Sequence, residues 1–278
     1  MPAGSIVHRA TVLFHDARTL ATLGPTPLGR AWLFLTYLFA PLKRRIPGLQ
    51  RVPIRLPVRV GRHVRNFTVS NAPHMLVIKE IFAEGIYEVP QPPPDPRVIV
   101  DLGANIGAAT AFFLERFPSA RVVAVEPDPT TYRKLAANVG RDSRVTLVHA
   151  AVTGRPSTSA ELFASEASWD SRVVPEPSRG TVRVPAGTLE QILQRIGVER
   201  VDILKIDVEG MEHQIFATPG PQDSAELLIG EVHPTAEISN PERLVDELRS
   251  RGWEDCRPFA HSVFYLTRKV PDTNRGSL

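Results

Sequence analysis

The chain has 278 residues, 42% of them hydrophobic and 23% charged, a globular composition that excludes disordered and membrane-spanning classes. Its length suits one large α/β domain with an N-terminal extension rather than two equal domains. Cys256 is the only cysteine, which excludes an intrachain disulfide and any metal site built on several thiolates and is compatible with a reducing, cytoplasmic setting.

The net charge of +3 is unevenly spread. Residues 1–70 carry eleven Lys or Arg against the single acid Asp16, a surplus of +10, so the remainder sums to −7. Such a split points to an anionic partner (membrane, phosphorylated substrate or nucleic acid) or to the acidic body of the same chain. His15, Asp16 and Arg18 interrupt the first apolar stretch, so no cleaved signal peptide is expected. AWLFLTYLFAPL at 31–42 is too short to span a bilayer and is followed at once by Lys43, Arg44 and Arg45. Residues 31–45 therefore read either as a helix buried against the main domain or as an interfacial helix giving peripheral membrane association.

Four segments are expected: a basic, partly helical extension over 1–57, a small strand and helix unit over 58–90, the main domain over 91–270 and a tail over 271–278. VRVGRHVRNFTVS reads as two strands around Gly61, and MLVIKEIFAEGIYE as a helix ending near Gly85. Prolines at 90, 92, 93, 94 and 96 forbid helix and mark a linker. Beyond them VIVDLG, RVVAVEP, RVTLVHAAV, VDILKIDV and ELLIGEVH alternate with helical stretches, the pattern of a mostly parallel sheet with helices on both faces. Asp128, Asn240 and the T-x-x-Q box Thr188/Gln191 are placed to cap helices, and Gly252 to end one. An insertion before Thr188 has strand-like pieces around Leu162 and Val184. Specificity is expected to reside in the N-terminal region and in this insertion around Ser168, Trp169 and Arg172, with Trp169 either stacking on a sugar ring or anchoring a hairpin.

The loop after VIVDL reads Asp101-Leu102-Gly103-Ala104-Asn105-Ile106-Gly107. A glycine-spaced turn from strand to helix presents backbone N–H groups to a ligand. It lacks the middle and last glycines of a dinucleotide fingerprint, and no Gly-Lys-Ser/Thr follows as a triphosphate loop requires. Glu126 ends the next strand, where a carboxylate accepts ribose hydroxyls or simply caps the turn before Pro127.

The D-x-G-x-N-x-G pattern resembles the first motif of class I S-adenosylmethionine-dependent methyltransferases. Taken with VVAVEPDP, ILKIDVEGMEHQIF and LLIGEVHP in that order, the chain resembles the FkbM family over roughly residues 60–267. The resemblance implies an α/β, Rossmann-like fold with a mostly parallel seven-stranded sheet and S-adenosylmethionine as cofactor. It places cofactor contacts at Asp101, Gly103, Asn105, Gly107, Glu126, Pro127, Ala150 and Asp207. The third strand carries Val148-His149-Ala150-Ala151 where this pattern often has an acid, which leaves adenine contact to the backbone near Ala150. The implied reaction is O-methylation of a hydroxyl on a sugar, natural-product or glycolipid acceptor. No nucleic-acid partner is expected, because the basic residues are not interleaved with a stacking-aromatic platform near the motifs. The alternatives are a nicotinamide-dependent oxidoreductase and a non-catalytic membrane- or partner-binding module.

In an open α/β sheet ligands sit beyond the carboxyl ends of the strands where their order reverses, which gathers residues 101–107, 207–210 and 231–233. Methyl transfer needs a base for the hydroxyl proton. His233 is the first choice because imidazole titrates near neutral pH, with Asp207 the alternative and Glu231 beside them. Lys205, Asp207 and Glu231 alternatively pair among themselves, and His233 is alternatively a satisfied histidine before Pro234. No metal is expected; Asp207, Glu209, Glu231 and His233 are the alternative ligands for Mg²⁺ or Mn²⁺. Glu212 and His213 are expected to be exposed on a short helix.

Overall fold

The structure is a computed structural model that describes residues 3–46, 48–49, 52–163, 172–174, 176–178, 180–234, 240, 242–260 and 262–268. It opens with helices α1 (Ala3–Ala21), α2 (Pro27–Leu38) and α3 (Ala40–Arg45), the hairpin β1 (Ile54–Val60) and β2 (His63–Val69), and α4 (Ala72–Phe82). Thr26 and Asn71 cap α2 and α4 by accepting from the N–H groups of Gly29 and His74, with proline in the first turn of each helix. Asp16 on α1 meets Lys79 on α4 at 2.9 Å and accepts from the Tyr37 hydroxyl at 3.2 Å. Leu20, Leu33, Leu56, Phe67 and Ile78 share one core with Phe113 of the main domain. The boundary expected between residues 57 and 58 falls inside β1, so the basic segment is built into the body.

The main domain contains β3 (Val98–Leu102), α5 (Ala108–Arg116), β4 (Arg121–Val125), α6 (Pro129–Val139), β5 (Val145–Val148) and β6 (Ala151–Val152). It continues with β7 (Ser159–Phe163), β8 (Arg172–Val174), β9 (Thr181–Gly187), α7 (Leu189–Arg195), β10 (Ile203–Ile206) and α8 (Glu212–Phe216). A short 3₁₀ turn at Pro221–Ser224 leads to β11 (Leu227–Glu231), α9 (Glu242–Ser250), β12 (Trp253–Ala260) and β13 (Val263–Arg268). Seven strands form one sheet in the order β12-β13-β11-β10-β3-β4-β5. Only β13 runs antiparallel to its neighbours. This is the Rossmann-like class I α/β arrangement the sequence implies, and the strand order turns back between β3 and β10.

Strand alternation splits the core into two layers. Ile99, Val122, Ala124 and Ile203 face α5 and α6. Val100, Leu102, Val123 and Leu204 face α7, α8 and α9. The expected caps are present, including both halves of the Thr188/Gln191 box and the Asp128 cap on Thr131 N–H. Asn240 accepts from Glu242 N–H, and Gly252 follows α9 at φ +89°.

The run RVTLVHAAV does not make one strand. β5 stops at Val148, and Ala151 and Val152 pair instead with Ala186 and Gly187 in a second sheet ordered β6-β9-β7-β8. The expected hairpin is thus part of a four-stranded sheet. Ser168 and Trp169 lie outside the described residues, while the Arg172 guanidinium stands 5.4 Å over the Phe163 ring.

Candidate active site

At the switch point the sequences VIVDL and ILKI pair in register, which sets Lys205 directly beside Asp101 on the α5 side of the sheet. Both are buried, and their charged groups lie 3.3 Å apart. Thr110 donates to the other Asp101 oxygen at 2.6 Å, and Lys205 donates to the carbonyls of Leu102 and Gly103. Burial works against the Lys205 charge, but Tyr87, Asp101 and Asp207 outweigh it and raise its pKa. Lys205 and Asp207 also stand 3.6 Å apart.

Gly103 explains why the loop needs glycine. Its φ is +71°, and a Cβ there would stand 1.7 Å from the carbonyl oxygen of Asp207. The loops after β3 and β10 therefore touch backbone to backbone. Asn105 takes φ +51°, and its N–H donates to Oε2 of Glu126 at 2.9 Å. Oε1 of Glu126 accepts from Asp128 N–H at 2.9 Å, so this carboxylate ties the ends of β3 and β4 together. Burial raises its pKa to about 8, against the pull of those two N–H groups.

Beyond these strand ends lies a cavity of about 530 Å³. Gly103, Asn105, Glu126, Pro127 and Ala150 line one end, and Asp207, Glu209, Glu231 and His233 the other. Asp101 and Gly107 do not line it. Asp101 is taken up behind the loop by Thr110 and Lys205, and a Cβ on Gly107 would reach Leu135 at 2.9 Å, so that glycine lets α5 and α6 pack.

His233 is the centre of the acidic end. Its Nδ1 donates to Oε1 of Glu212 at 2.9 Å, and its Nε2 lies 3.4 Å from Glu209 and 3.7 Å from Glu231. Burial pulls the imidazole pKa down, but the bond to Glu212 and the charges on Glu209 and Asp207 lift it to about 9. Burial pushes Glu209 up to about 8 and Glu231 up to about 6. Asp207, Glu209 and His233 each bring one ligand atom within 4.8 Å of the others, and Glu231 stands outside that group.

The expectation that Glu212 and His213 are exposed is corrected. Glu212 has no exposed surface and accepts from Val208 and Gly210 N–H as well as from His233, because the turn after β10 folds back over it. His213 is half-buried, and burial lowers its pKa.

One wall of the cavity comes from a region where no motif was read. Val77, Glu80 and Ile81 of α4 and Ile86 and Tyr87 after it all line the space. Arg257 donates to the carbonyls of Gly85, Ile86 and Glu88, and Tyr265 donates to that of Ile86, so β12 and β13 pin this segment in place. Tyr87 then stacks on Phe113, their centroids 6.1 Å apart. Local sequence carries no sign of this, since the pins lie about 170 residues away.

The chain is 28% identical over 183 residues to methyltransferase sdnD of Sordaria araneosa, covering 54% of this chain and 70% of that one. It is 28% identical over 142 residues to the 2-O-methyltransferase NoeI of Sinorhizobium fredii, covering 45% of this chain and 57% of NoeI. The chain spans from 10% to 70% of the lengths of the curated relatives it matches. Among solved structures, it is similar to a precorrin-6y C5,15-methyltransferase from Geobacter metallireducens at 16% identity and a TM-score of 0.39, covering 68% of this chain and 86% of that one. Residues 101–254, more than half of the chain, match the family described as the methyltransferase FkbM domain. The strand-end loops, the buried Glu126 and the turn from Asp207 to Glu212 all fall within that match, and the chain belongs to the FkbM methyltransferase family.

Proposed function

We propose that this protein is an S-adenosylmethionine-dependent O-methyltransferase acting on a hydroxyl of a sugar, natural-product or glycolipid acceptor. The observation that carries this reading is the single two-ended cavity, with a nucleoside-type cradle at Gly103, Asn105 and Glu126 joined to the acid–imidazole group of Asp207, Glu209, Glu231 and His233. The cradle suits the cofactor: its backbone leaves no room for a side chain at Gly103, and the buried Oδ1 of Asn105 has no hydrogen-bond partner in the protein. The absence of a G-x-G-x-x-G loop and the family membership count against a nicotinamide-dependent oxidoreductase or a non-catalytic module.

Glu126 would hold the ribose hydroxyls, the backbone near Ala150 the adenine, and the loop from Gly103 to Asn105 with Asp207 the amino-acid end. When bound, S-adenosylmethionine supplies an electrophilic methyl group. The acceptor hydroxyl lies between that end and His233, which takes the hydroxyl proton at Nε2 while Glu212 keeps Nδ1 engaged. Asp207 and Glu231 orient the hydroxyl, and the α4 wall with Tyr87 excludes water.

A second reading makes Asp207 the base. What favours it is the pKa of about 9 at His233, which leaves the imidazole protonated through neutral pH in the ligand-free protein.

The same reading extends to the surroundings. Among the described residues no helix is long and apolar enough to cross a membrane, and residues 31–45 give the protein a peripheral membrane contact from the cytoplasmic side.

Calorimetric titration with S-adenosylhomocysteine and, separately, NAD⁺ tests the cofactor. Micromolar binding of the first alone supports the proposal, and binding of NAD⁺ alone overturns it. A screen of glycosides and lipid-linked sugars for S-adenosylhomocysteine release then tests the acceptor class.

A further inference from the structure

Among the described residues, the large hydrophobic side chains that stand exposed all belong to residues 12–52 except Val64. Six of them, Leu28, Trp32, Leu35, Phe39, Leu42 and Ile46, recur at alternating steps of four and three residues along α2 and α3. That spacing lays them along one side of a helical path. The opposite side is already used: Gly29, Leu33, Tyr37 and Ala40 are buried. The helical path is therefore apolar on two sides and packs the rest of the protein with only one.

Charge says what covers the other. Arg9, Arg18, Arg30 and Arg45 are exposed around this unit, and its only acid, Asp16, is committed to Lys79 and Tyr37. A second copy docked through the same stripe would bring two strongly basic segments together with no carboxylate of their own to neutralise them. An anionic lipid surface meets both requirements, taking up the apolar side chains and the arginines together.

We propose that the stripe from Leu28 to Ile46, set in the basic segment that carries these arginines, is a docking surface for an anionic bilayer. The proposal rests on the peripheral contact read for residues 31–45 and extends it to a specific face and lipid charge. It holds the cavity beside the membrane through α4, which packs on α1 through the Asp16–Lys79 pair.

Deleting the segment is not a usable test, because Leu20 and Leu33 belong to the core. The informative variant is Leu35→Ser/Phe39→Ser/Leu42→Ser in the full chain, three positions exposed on the stripe. Both proteins are sedimented with phosphatidylcholine vesicles and with vesicles that also contain phosphatidylglycerol, at low and raised salt, and their masses are measured by light scattering. S-adenosylhomocysteine titration of both proteins runs in parallel. The wild type should pellet with the phosphatidylglycerol vesicles alone and less so at raised salt, and the variant should lose at least about tenfold in partitioning. Both should be monomeric and bind the nucleoside equally.

No vesicle binding, or equal binding to both vesicle types, overturns the proposal. A wild-type dimer that the variant abolishes also overturns it, assigning the stripe to a second copy. Loss of nucleoside binding by both proteins would strike the methyltransferase reading and leave the lipid result standing on its own.

Discussion

The Nδ1 atom of His233 lies 2.9 Å from Oε1 of Glu212, a carboxylate with no exposed surface that also takes the N–H groups of Val208 and Gly210. One buried acid thus fixes both the turn after β10 and the imidazole after β11. Glu212→Gln keeps the shape but removes the charge. The imidazole pKa, followed by NMR, should fall from about 9 toward the ordinary value of about 6.5. Turnover should fall about tenfold or more. An unmoved imidazole titration would show that Glu212 does not govern the ring.

The pH profile separates the two candidate bases. If His233 receives the proton it must be neutral, so kcat should rise from pH 7 to about 9 and then level off. His233→Ala should cut kcat by about 10²- to 10⁴-fold and flatten that limb. Full turnover in His233→Ala with an unchanged profile would pass the role to Asp207, and Asp207→Asn would then carry the loss.

Stability should follow the same imidazole with a definite sign. The folded pKa of about 9 lies above the unfolded value near 6.5, so the stabilising contribution is complete below about pH 6.5 and is lost as pH rises toward 9. Denaturant unfolding of wild type and His233→Asn across that range should converge as pH increases.

Gly103→Ala should be among the most damaging single methyl additions in the chain. The new Cβ would stand 1.7 Å from the Asp207 carbonyl, at a φ that side chains rarely adopt. We expect about 1–3 kcal/mol of destabilisation and at least a tenfold loss of S-adenosylhomocysteine affinity, checked by urea unfolding and calorimetry.

Glu126→Gln tests the cradle without disturbing the acidic end. It replaces one of the two oxygens that accept from the Asn105 and Asp128 N–H groups and weakens the contact proposed for the ribose. Nucleoside affinity should drop about tenfold or more, while the His233 titration stays where it was.

Much of this was readable in the sequence because it is local. VIVDL and ILKI are short apolar strands with one charged residue each, and the cost of burying a lone charge anticipates that Asp101 and Lys205 must be satisfied. The rule that ligands sit beyond the strand ends placed residues 101–107, 207–210 and 231–233 near one crevice. Glu212 escaped because a five-residue helix has too little periodicity to reveal its inner face. It is covered by the turn after β10 and by His233, 21 residues further on. VHAAV escaped for a similar reason. Its apolar letters fit a single strand, but Ala151 is claimed by Ala186 across an insertion.

The pins that Arg257 and Tyr265 place on the carbonyls of residues 85–88 carry a consequence for how the enzyme is assembled. The nucleoside cradle is finished once β11 has emerged, whereas the wall bearing Tyr87 waits for the last two strands of the sheet. During synthesis the loops after β3, β4 and β10 can therefore form before this wall is held in place. A chain clipped after α9 would retain every residue of the cradle and lose what holds that wall. The strand-end loops and the wall bearing Tyr87 are therefore separable, the first written in the middle of the chain and the second in a contact between its two flanks.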